Sequence, residues 1–212
     1  MVRYCLMMGL SILTIFFTVS VNAAQFIKGK DYIEIQADVT KEPQIRAFYS
    51  YYCPHCFKQE PFILQLKQLL PEGQTVLSNP VDGMPGQNIN IEQALIKATI
   101  AADILGMAET MNAAFFDYIH VQRAAFTSEK DIKNLFLLHG ADEALLDKTL
   151  ASFALNTRYK QLQHATKQLR KQGINTVPTL IINGKYKPET QHIKSLAHYN
   201  ELVAYLLTKT VH

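Results

Sequence analysis

Tryptophan is absent from this sequence, and cysteine occurs only three times, at Cys5, Cys53 and Cys56. The chain also lacks low-complexity stretches, internal repeats and linkers rich in glycine or serine. Its net charge of +3 over 212 residues is too small to indicate binding to nucleic acid or to an anionic membrane surface. What remains is the composition of one domain, or of one domain with an insertion, that is long enough to bury a hydrophobic core.

The first residues have the layout of a secretory signal peptide. Arg3 supplies a positive charge, an apolar run covers residues 6–21, and small residues precede a cleavage point. We expect residues 1–23 to be removed by cleavage after Ala23, with cleavage after Ala24 as the alternative. An uncleaved anchor competes with this interpretation, because residues 4–24 are just long enough to span a bilayer. Polar residues within that run favour cleavage, and no later segment predicts a stable membrane insertion.

Removal of residues 1–23 would leave two cysteines, both in the motif Cys53-Pro54-His55-Cys56. An exported protein without any other cysteine has no structural disulfide framework, so the one bridge that the chain can close lies within this motif. Residues 44–52 are rich in β-branched and aromatic side chains, which predicts a strand, and a helix then starts at Cys53. Free N–H groups and the positive end of the helix dipole favour a thiolate at that position. The motif therefore indicates a redox site.

The rest of the chain divides into strand patterns and one helical block. Strands are predicted at residues 33–35 and 75–81, and a strand hairpin with an Asn183-Gly184 turn is predicted at residues 176–186. Between them, apolar residues recur at helical spacing from about residue 88 to Gly173. Helix N-caps are predicted at Asn90, Ser128 and Asp142, and a final helix at residues 196–207. Nothing in the helical block indicates chemistry, so we expect an inserted helical subdomain.

Taken together, these features resemble the DsbA-type thiol–disulfide oxidoreductases of the bacterial periplasm. The resemblance rests on the signal peptide, the Cys53-Pro54-His55-Cys56 motif that opens a helix, the inserted helical block, and the Val177-Pro178 pair before the hairpin. It implies an α/β thioredoxin-like fold, in which helices flank a central mixed sheet. Residues 24–86 and 166–212 would form the thioredoxin-like domain, and residues 87–165 would form the inserted helical subdomain. It also implies a periplasmic location.

The resemblance implies a role for each residue of the motif. Cys53 would be the nucleophilic and leaving thiolate, and Cys56 the resolving cysteine. The Pro54-His55 dipeptide would tune the redox power, with His55 stabilising the Cys53 thiolate by a hydrogen bond or by its charge.

A second part of the site is implied by the Val177-Pro178 pair. The peptide bond before Pro178 would be cis, as in that family, and Pro178 would pack beside the cysteines. The backbone of Val177 would then be presented to an extended substrate.

The chain departs from the family at one place. Many of its members carry a buried glutamate six residues before the first cysteine, paired with a lysine on the neighbouring strand. Here the first position is Ala47, and we align Ser78 with the second. Glu60, one turn beyond Cys56, matches an acidic position of the family and could take over part of the proton handling. A solvated glutamate favoured by the helix dipole is the competing interpretation.

The implied activity is donation of the Cys53–Cys56 disulfide to reduced, unfolded or partly folded exported proteins. The resemblance further implies re-oxidation by a DsbB-type partner in the inner membrane and no bound cofactor.

Three alternatives remain open at this stage. A disulfide isomerase or reductase could use the same fold, although those activities usually need a dimer, and no separate dimerisation domain follows the signal. A chaperone whose cysteines are incidental is a second alternative. The third is a zinc module built on Cys53, His55 and Cys56, but such a site needs about four ligands. The remaining histidines have the pattern of surface or helix-face residues: His120, His139, His164, His192, His198 and His212.

Overall fold

A computed structural model describes residues 26–72 and 74–210 of the chain. The predicted signal peptide, residues 1–23, and His212 lie outside the described residues. Within the described part of the chain, no helix combines the length and the apolar character needed to span a membrane.

Five strands of the described chain form one mixed sheet in the order β1-β5-β4-β2-β3. Strand β2 pairs parallel with β3 and antiparallel with β4, and β5 pairs antiparallel with β4 and with β1. The active-site strand β2 is therefore covered by neighbours on both edges. The strands are β1 (Tyr32–Glu34), β2 (Ile45–Tyr49), β3 (Leu77–Pro80), β4 (Thr179–Ile182) and β5 (Tyr186–Pro188).

Helices occupy the positions that the apolar periodicity predicts. The helix that opens after Cys53 continues through Pro61 and is followed by a single 3₁₀ turn, Lys67–Leu69. The helices are α1 (Pro54–Leu66), α2 (Ile89–Ile104), α3 (Ala108–His120), α4 (Glu129–Leu138), α5 (Glu143–Leu150), α6 (Phe153–Lys171) and α7 (Leu196–Leu207). Helix α6 is continuous across the predicted boundary between residues 165 and 166.

Two of the three predicted caps in the helical block are confirmed, and one is wrong. The side chains of Ser128 and Asp142 accept hydrogen bonds from the first turns of α4 and α5. The N-cap of α2 is Asn88 rather than Asn90, because Asn88 has extended backbone angles and its side chain accepts from the Asn90 N–H. Asn90 therefore already lies in the first turn of the helix.

Strand β2 ends at Tyr49, three residues earlier than the aromatic run predicts. The chain turns there, since the Cys53 N–H donates to the Ser50 carbonyl at 3.1 Å and the Tyr52 N–H donates to Ser50 Oγ at 3.2 Å. Tyr51 is nevertheless buried, because its ring packs under the helical subdomain rather than in the sheet. Hydrophobic pattern alone does not separate these two kinds of burial.

The cysteines belong to the core that the helical subdomain supplies. Cys53 and Cys56 lie in one apolar cluster with Tyr51, Phe115 and Phe116, whereas helix α7 packs on the sheet in a different cluster. Full burial of a phenylalanine such as Phe115 or Phe116 stabilises the fold by roughly 1.5–3 kcal/mol. The insertion therefore builds one wall of the redox motif as well as its own interior.

Candidate active site

Cys53 is the N-cap of helix α1. Its backbone is extended, with φ −91° and ψ 112°, and its Sγ accepts a hydrogen bond from the Cys56 N–H at 3.3 Å. Pro54 takes the first helical position, where a missing N–H removes nothing from the helix. The sulfur of Cys53 thus lies where unpaired N–H groups and the helix dipole stabilise negative charge.

Cys56 lies one turn further along the helix and has a different environment. Both cysteines are free thiols, and both are only 3 % exposed. Burial raises the pKa of the Cys56 thiol well above its ordinary value, and its hydrogen bond with Cys53 and the charge of Glu60 raise it further. Cys56 therefore keeps its proton at neutral pH, and the two sulfurs are chemically unequal.

The loop after α6 brings Val177 and Pro178 to the cysteines. The peptide bond between them is cis, and the Cys53 thiol donates to the Val177 carbonyl with a separation of 3.6 Å between Sγ and O. The Cys53–Cys56 motif and the Val177-Pro178 pair are therefore in direct contact, although Cys53 and Val177 are 124 residues apart in sequence.

His55 lies on the exposed side of the first turn of α1, beside exposed Pro54. Among the described residues, the Cys53 sulfur bonds to the Cys56 N–H and to the Val177 carbonyl, and not to the exposed His55.

A cavity of about 720 Å³ lies behind the cysteines, between the sheet, α1 and the helical subdomain. Ala47 and Ser78 are partners in the parallel β2–β3 register, which is the arrangement expected if they replace the family's glutamate and lysine. Their short side chains leave room in the cavity and place no charge at these two positions. The lining includes Ala47, Cys56, Glu60, Ser78, Asn112 and Pro178.

Glu60 faces this cavity rather than open solvent. Burial raises the pKa of its carboxyl above the ordinary value, and a hydrogen bond donated by Asn112 Nδ2 partly offsets the rise. Glu60 is only partly exposed and lies in the second turn of α1 rather than in the first, where the helix dipole favours a carboxylate.

The hydroxyls of buried Tyr51 and partly buried Tyr49 complete a polar cluster beside Glu60. Asn112 Oδ1 accepts from Tyr51 at 3.0 Å and from Tyr49 at 3.3 Å, and Tyr49 also bonds to Ser78 Oγ at 2.8 Å. Burial raises the pKa of Tyr49 to about 12 and that of Tyr51 well above its ordinary value. Both hydroxyls are therefore neutral and serve as hydrogen-bonding groups.

His120 is a further residue whose position the sequence does not predict. Its Nε2 donates to the Tyr51 carbonyl at 2.7 Å, and its ring stacks on Phe57 with centroids 4.9 Å apart and planes at 9°. His120 thus fixes the turn that leads into Cys53, from the last turn of α3. Its spacing of four residues from buried Phe116 was the available signal, since both then share the inward face of that helix.

The expectation that the helical block carries no chemistry stays a prediction, but side chains of α3 do reach the surroundings of the redox motif. Both Asn112 and His120 project from this helix toward the redox motif. Among residues 26–72 and 74–210, no three side chains of the cysteine, histidine, aspartate and glutamate types cluster closely enough to hold a metal ion.

Comparison with known proteins identifies the same family as the motif. A family model described as the DSBA-like thioredoxin domain matches residues 44–200. The thiol:disulfide interchange protein DsbA of Pectobacterium carotovorum is 30% identical over 201 residues, covering 90% of this chain and 92% of that protein. DsbA of Yersinia pestis is 30% identical over 209 residues, covering 94% of this chain and 97% of that protein.

Solved structures agree with the sequence relatives. A complex of Proteus mirabilis DsbA with a non-covalently bound peptide superposes with a TM-score of 0.75 at 27% identity, covering 88% of this chain and all of that one. The predicted thioredoxin-like fold and the resemblance are both confirmed. By its motif, its fold and its relatives, the chain belongs to the DSBA-like thioredoxin domain family and is a thiol:disulfide oxidoreductase of the DsbA type.

Proposed function

We propose that this protein donates its Cys53–Cys56 disulfide to reduced exported proteins in the periplasm. It is exported by residues 1–23, and a DsbB-type membrane partner re-oxidises it. The observation that carries the proposal is the inequality of the two sulfurs. Cys53 Sγ accepts an N–H at a helix terminus, whereas burial keeps the proton on Cys56. Such a pair releases Cys53 as the stable leaving group, which favours the reduced enzyme and makes its disulfide oxidising.

The reaction proceeds by two thiol–disulfide exchanges. A client thiolate first attacks Cys53 Sγ, the bond to Cys56 breaks, and the Cys56 sulfur takes the electron pair and a proton. A second client thiolate then attacks the client sulfur of the mixed disulfide, and Cys53 leaves as a thiolate. Two electrons pass from two client thiols to the enzyme, and the client gains one disulfide.

Three further groups assist these steps. Glu60 exchanges the proton of Cys56, a role supported by its place one turn along the same helix and in the same cavity. His55 adds a hydrogen bond or positive charge to the Cys53 thiolate once a client approaches its exposed side. The Val177 backbone, beside Pro178, pairs with an extended client segment, a role supported by the Val177 carbonyl lying 3.6 Å from Cys53 Sγ.

Two cysteine variants test the proposal with a reduced, unfolded client protein. Cys53→Ser is expected to abolish oxidative folding of the client, because no attackable sulfur remains at the helix terminus. Cys56→Ser keeps Cys53 and, when glutathione disulfide is supplied as the oxidant, is expected to accumulate a mixed disulfide between Cys53 and glutathione, since the resolving thiol is gone. Oxidative folding that continues with Cys53→Ser would overturn the proposal and favour a chaperone.

A further inference from the structure

Asn112 joins the helical subdomain to the carboxyl beside the resolving cysteine. From α3 its Nδ2 donates to Glu60 Oε1 at 2.5 Å on α1. Its Oδ1 accepts the hydroxyls of Tyr51 and Tyr49. An ionised carboxylate can only accept hydrogen bonds, so the amide must turn its NH₂ toward Glu60 and its oxygen toward the tyrosines.

We propose that Asn112 is a positioning residue for the redox reaction, which holds the Glu60 carboxylate toward the cavity where Cys56 gains and loses its proton. The inference rests on the proposed role of Glu60. It assigns to the helical insertion a part in the proton transfer, through one amide side chain and the tyrosine pair that orients it.

The remaining charges of the cavity single out Glu60. Among the described lining residues, Asp103 pairs with Arg158 at 2.6 Å, and Glu109 pairs with Lys67 at 3.4 Å. Within the described residues Glu60 pairs with no cation, since the remaining lining cation, Arg46, donates to Asn79 Oδ1. At positions 47 and 78 the two neighbouring strands carry alanine and serine. The neutral amide of Asn112 therefore holds the Glu60 carboxylate, which lies one turn beyond Cys56 on α1.

Titratable and charged groups on several elements lie around the cavity that Glu60 faces. Cys56 lies on the same helix as Glu60, the tyrosines lie on β2 and the following turn, and the ion pairs lie further along the cavity wall. These groups are Arg46, Tyr49, Cys56, Lys67, Asp103, Glu109 and Arg158 in the lining, and Tyr51, which bonds to Asn112. The polar cluster reaches solvent at Ser78, which is exposed and bonds to the Tyr49 hydroxyl.

The step that reports on this carboxylate is the attack of Cys56 on a mixed disulfide at Cys53. Reduced protein is mixed with glutathione disulfide, and the first-order release of glutathione that follows mixed-disulfide formation is measured between about pH 5 and pH 9. Cys56 must lose its proton in this step, so the rate is expected to rise as Glu60 becomes ionised.

Asn112→Leu keeps the volume and removes the donor to Glu60. We expect the inflection of the pH profile to move to higher pH, with release about tenfold slower on the acid side, because a hydrogen bond that favours the carboxylate is lost. Asn112→Asp retains the acceptor for the tyrosines and is expected to shift the inflection in the same direction by like-charge repulsion. Thr110→Ala, on the exposed side of α3 and outside the cavity lining, is the control and should leave the profile unchanged.

Glu60→Gln separates this inference from the role on which it depends. That variant should lose the inflection and slow the release by about tenfold or more. In the Glu60→Gln background, Asn112→Leu should change the rate by less than about twofold, because it acts through Glu60.

Each contrary result has its own meaning. An unchanged profile for Glu60→Gln would refute the proton-handling role itself, while disulfide donation would still be judged by Cys53→Ser. A slow Glu60→Gln together with a normal Asn112→Leu would refute the inference about Asn112 alone. A uniform loss of rate in both Asn112 variants, without a shift and persisting in the Glu60→Gln background, would reduce Asn112 to a structural residue.

Discussion

Asn183, in the turn between β4 and β5, ties three parts of the fold together without touching the cysteines. Its side chain is fully buried, and Nδ2 donates to the carbonyls of Leu206, Leu207 and Lys209 at 2.9–3.1 Å. Its Oδ1 accepts from the Gln44 N–H at 2.9 Å, just before the active-site strand. We predict that Asn183→Ala strongly destabilises the protein and leaves the chemistry of the surviving folded molecules intact.

The size of the effect follows from the hydrogen bonds that are lost. An NH₂ group has two hydrogens, so the three carbonyls share two donated bonds, and Gln44 supplies one more. Three hydrogen bonds with buried or partly buried partners, at roughly 1–2 kcal/mol each, give a loss of about 3–6 kcal/mol in the free energy of unfolding. Asn183 also has φ 49°, which adds about 1 kcal/mol for an alanine in the left-handed region.

Urea unfolding of the reduced protein, followed by circular dichroism, measures this loss. Asn183→Gly removes the same hydrogen bonds but tolerates the positive φ, so it should remain within about 1 kcal/mol of the alanine variant. Asn134→Ala on the exposed face of α4 is the control and should change the free energy of unfolding by less than about 0.5 kcal/mol. A loss below about 1 kcal/mol in Asn183→Ala, or a glycine variant as stable as the parent, would refute the hydrogen-bond argument.

Two further predictions concern the surroundings of the cysteines. Burial raises the pKa of the Glu60 carboxyl, so folding opposes its charged form, and the associated stability is lost as the pH rises through the folded-state pKa. Glu60→Gln should therefore be more stable than the parent at about pH 8, with the gain shrinking toward about pH 5; urea titrations that show no gain at the higher pH would contradict this. His120→Phe keeps the stacking on Phe57 and loses the bond to the Tyr51 carbonyl, so unfolding titrations should show a loss of about 1 kcal/mol. A stability equal to that of the parent would mean that water replaces this bond.

The local parts of the site could be predicted from the sequence, because their signals lie within a few residues of one another. The Cys53–Cys56 spacing, the strand before it and the helix after it determine where the sulfurs lie. The Ser128 and Asp142 caps are equally local, since each side chain bonds three residues ahead. The cap at Asn88 was missed because an asparagine also occurs two residues later, and side-chain chemistry alone does not distinguish the two positions.

The tertiary parts of the site could not be predicted in this way. Asn112 and His120 lie on a helix whose sequence pattern is only that of an amphipathic segment, and their partners Glu60 and Tyr51 lie more than fifty residues earlier. No spacing rule connects such positions, because the contact depends on how the insertion packs against the sheet. The register between Ala47 and Ser78 was reached through a resemblance to a family and not through periodicity.

The central claim is that the environments of Cys53 and Cys56 make this disulfide a donor. Equilibration of the purified protein with glutathione buffers, followed by alkylation of free thiols, measures the fraction of the protein in which Cys53 and Cys56 are reduced. The inequality of the two sulfurs predicts that the protein is held reduced even in mildly oxidising mixtures. A disulfide that persists until the buffer is strongly reducing would contradict the donor assignment and favour a reductase.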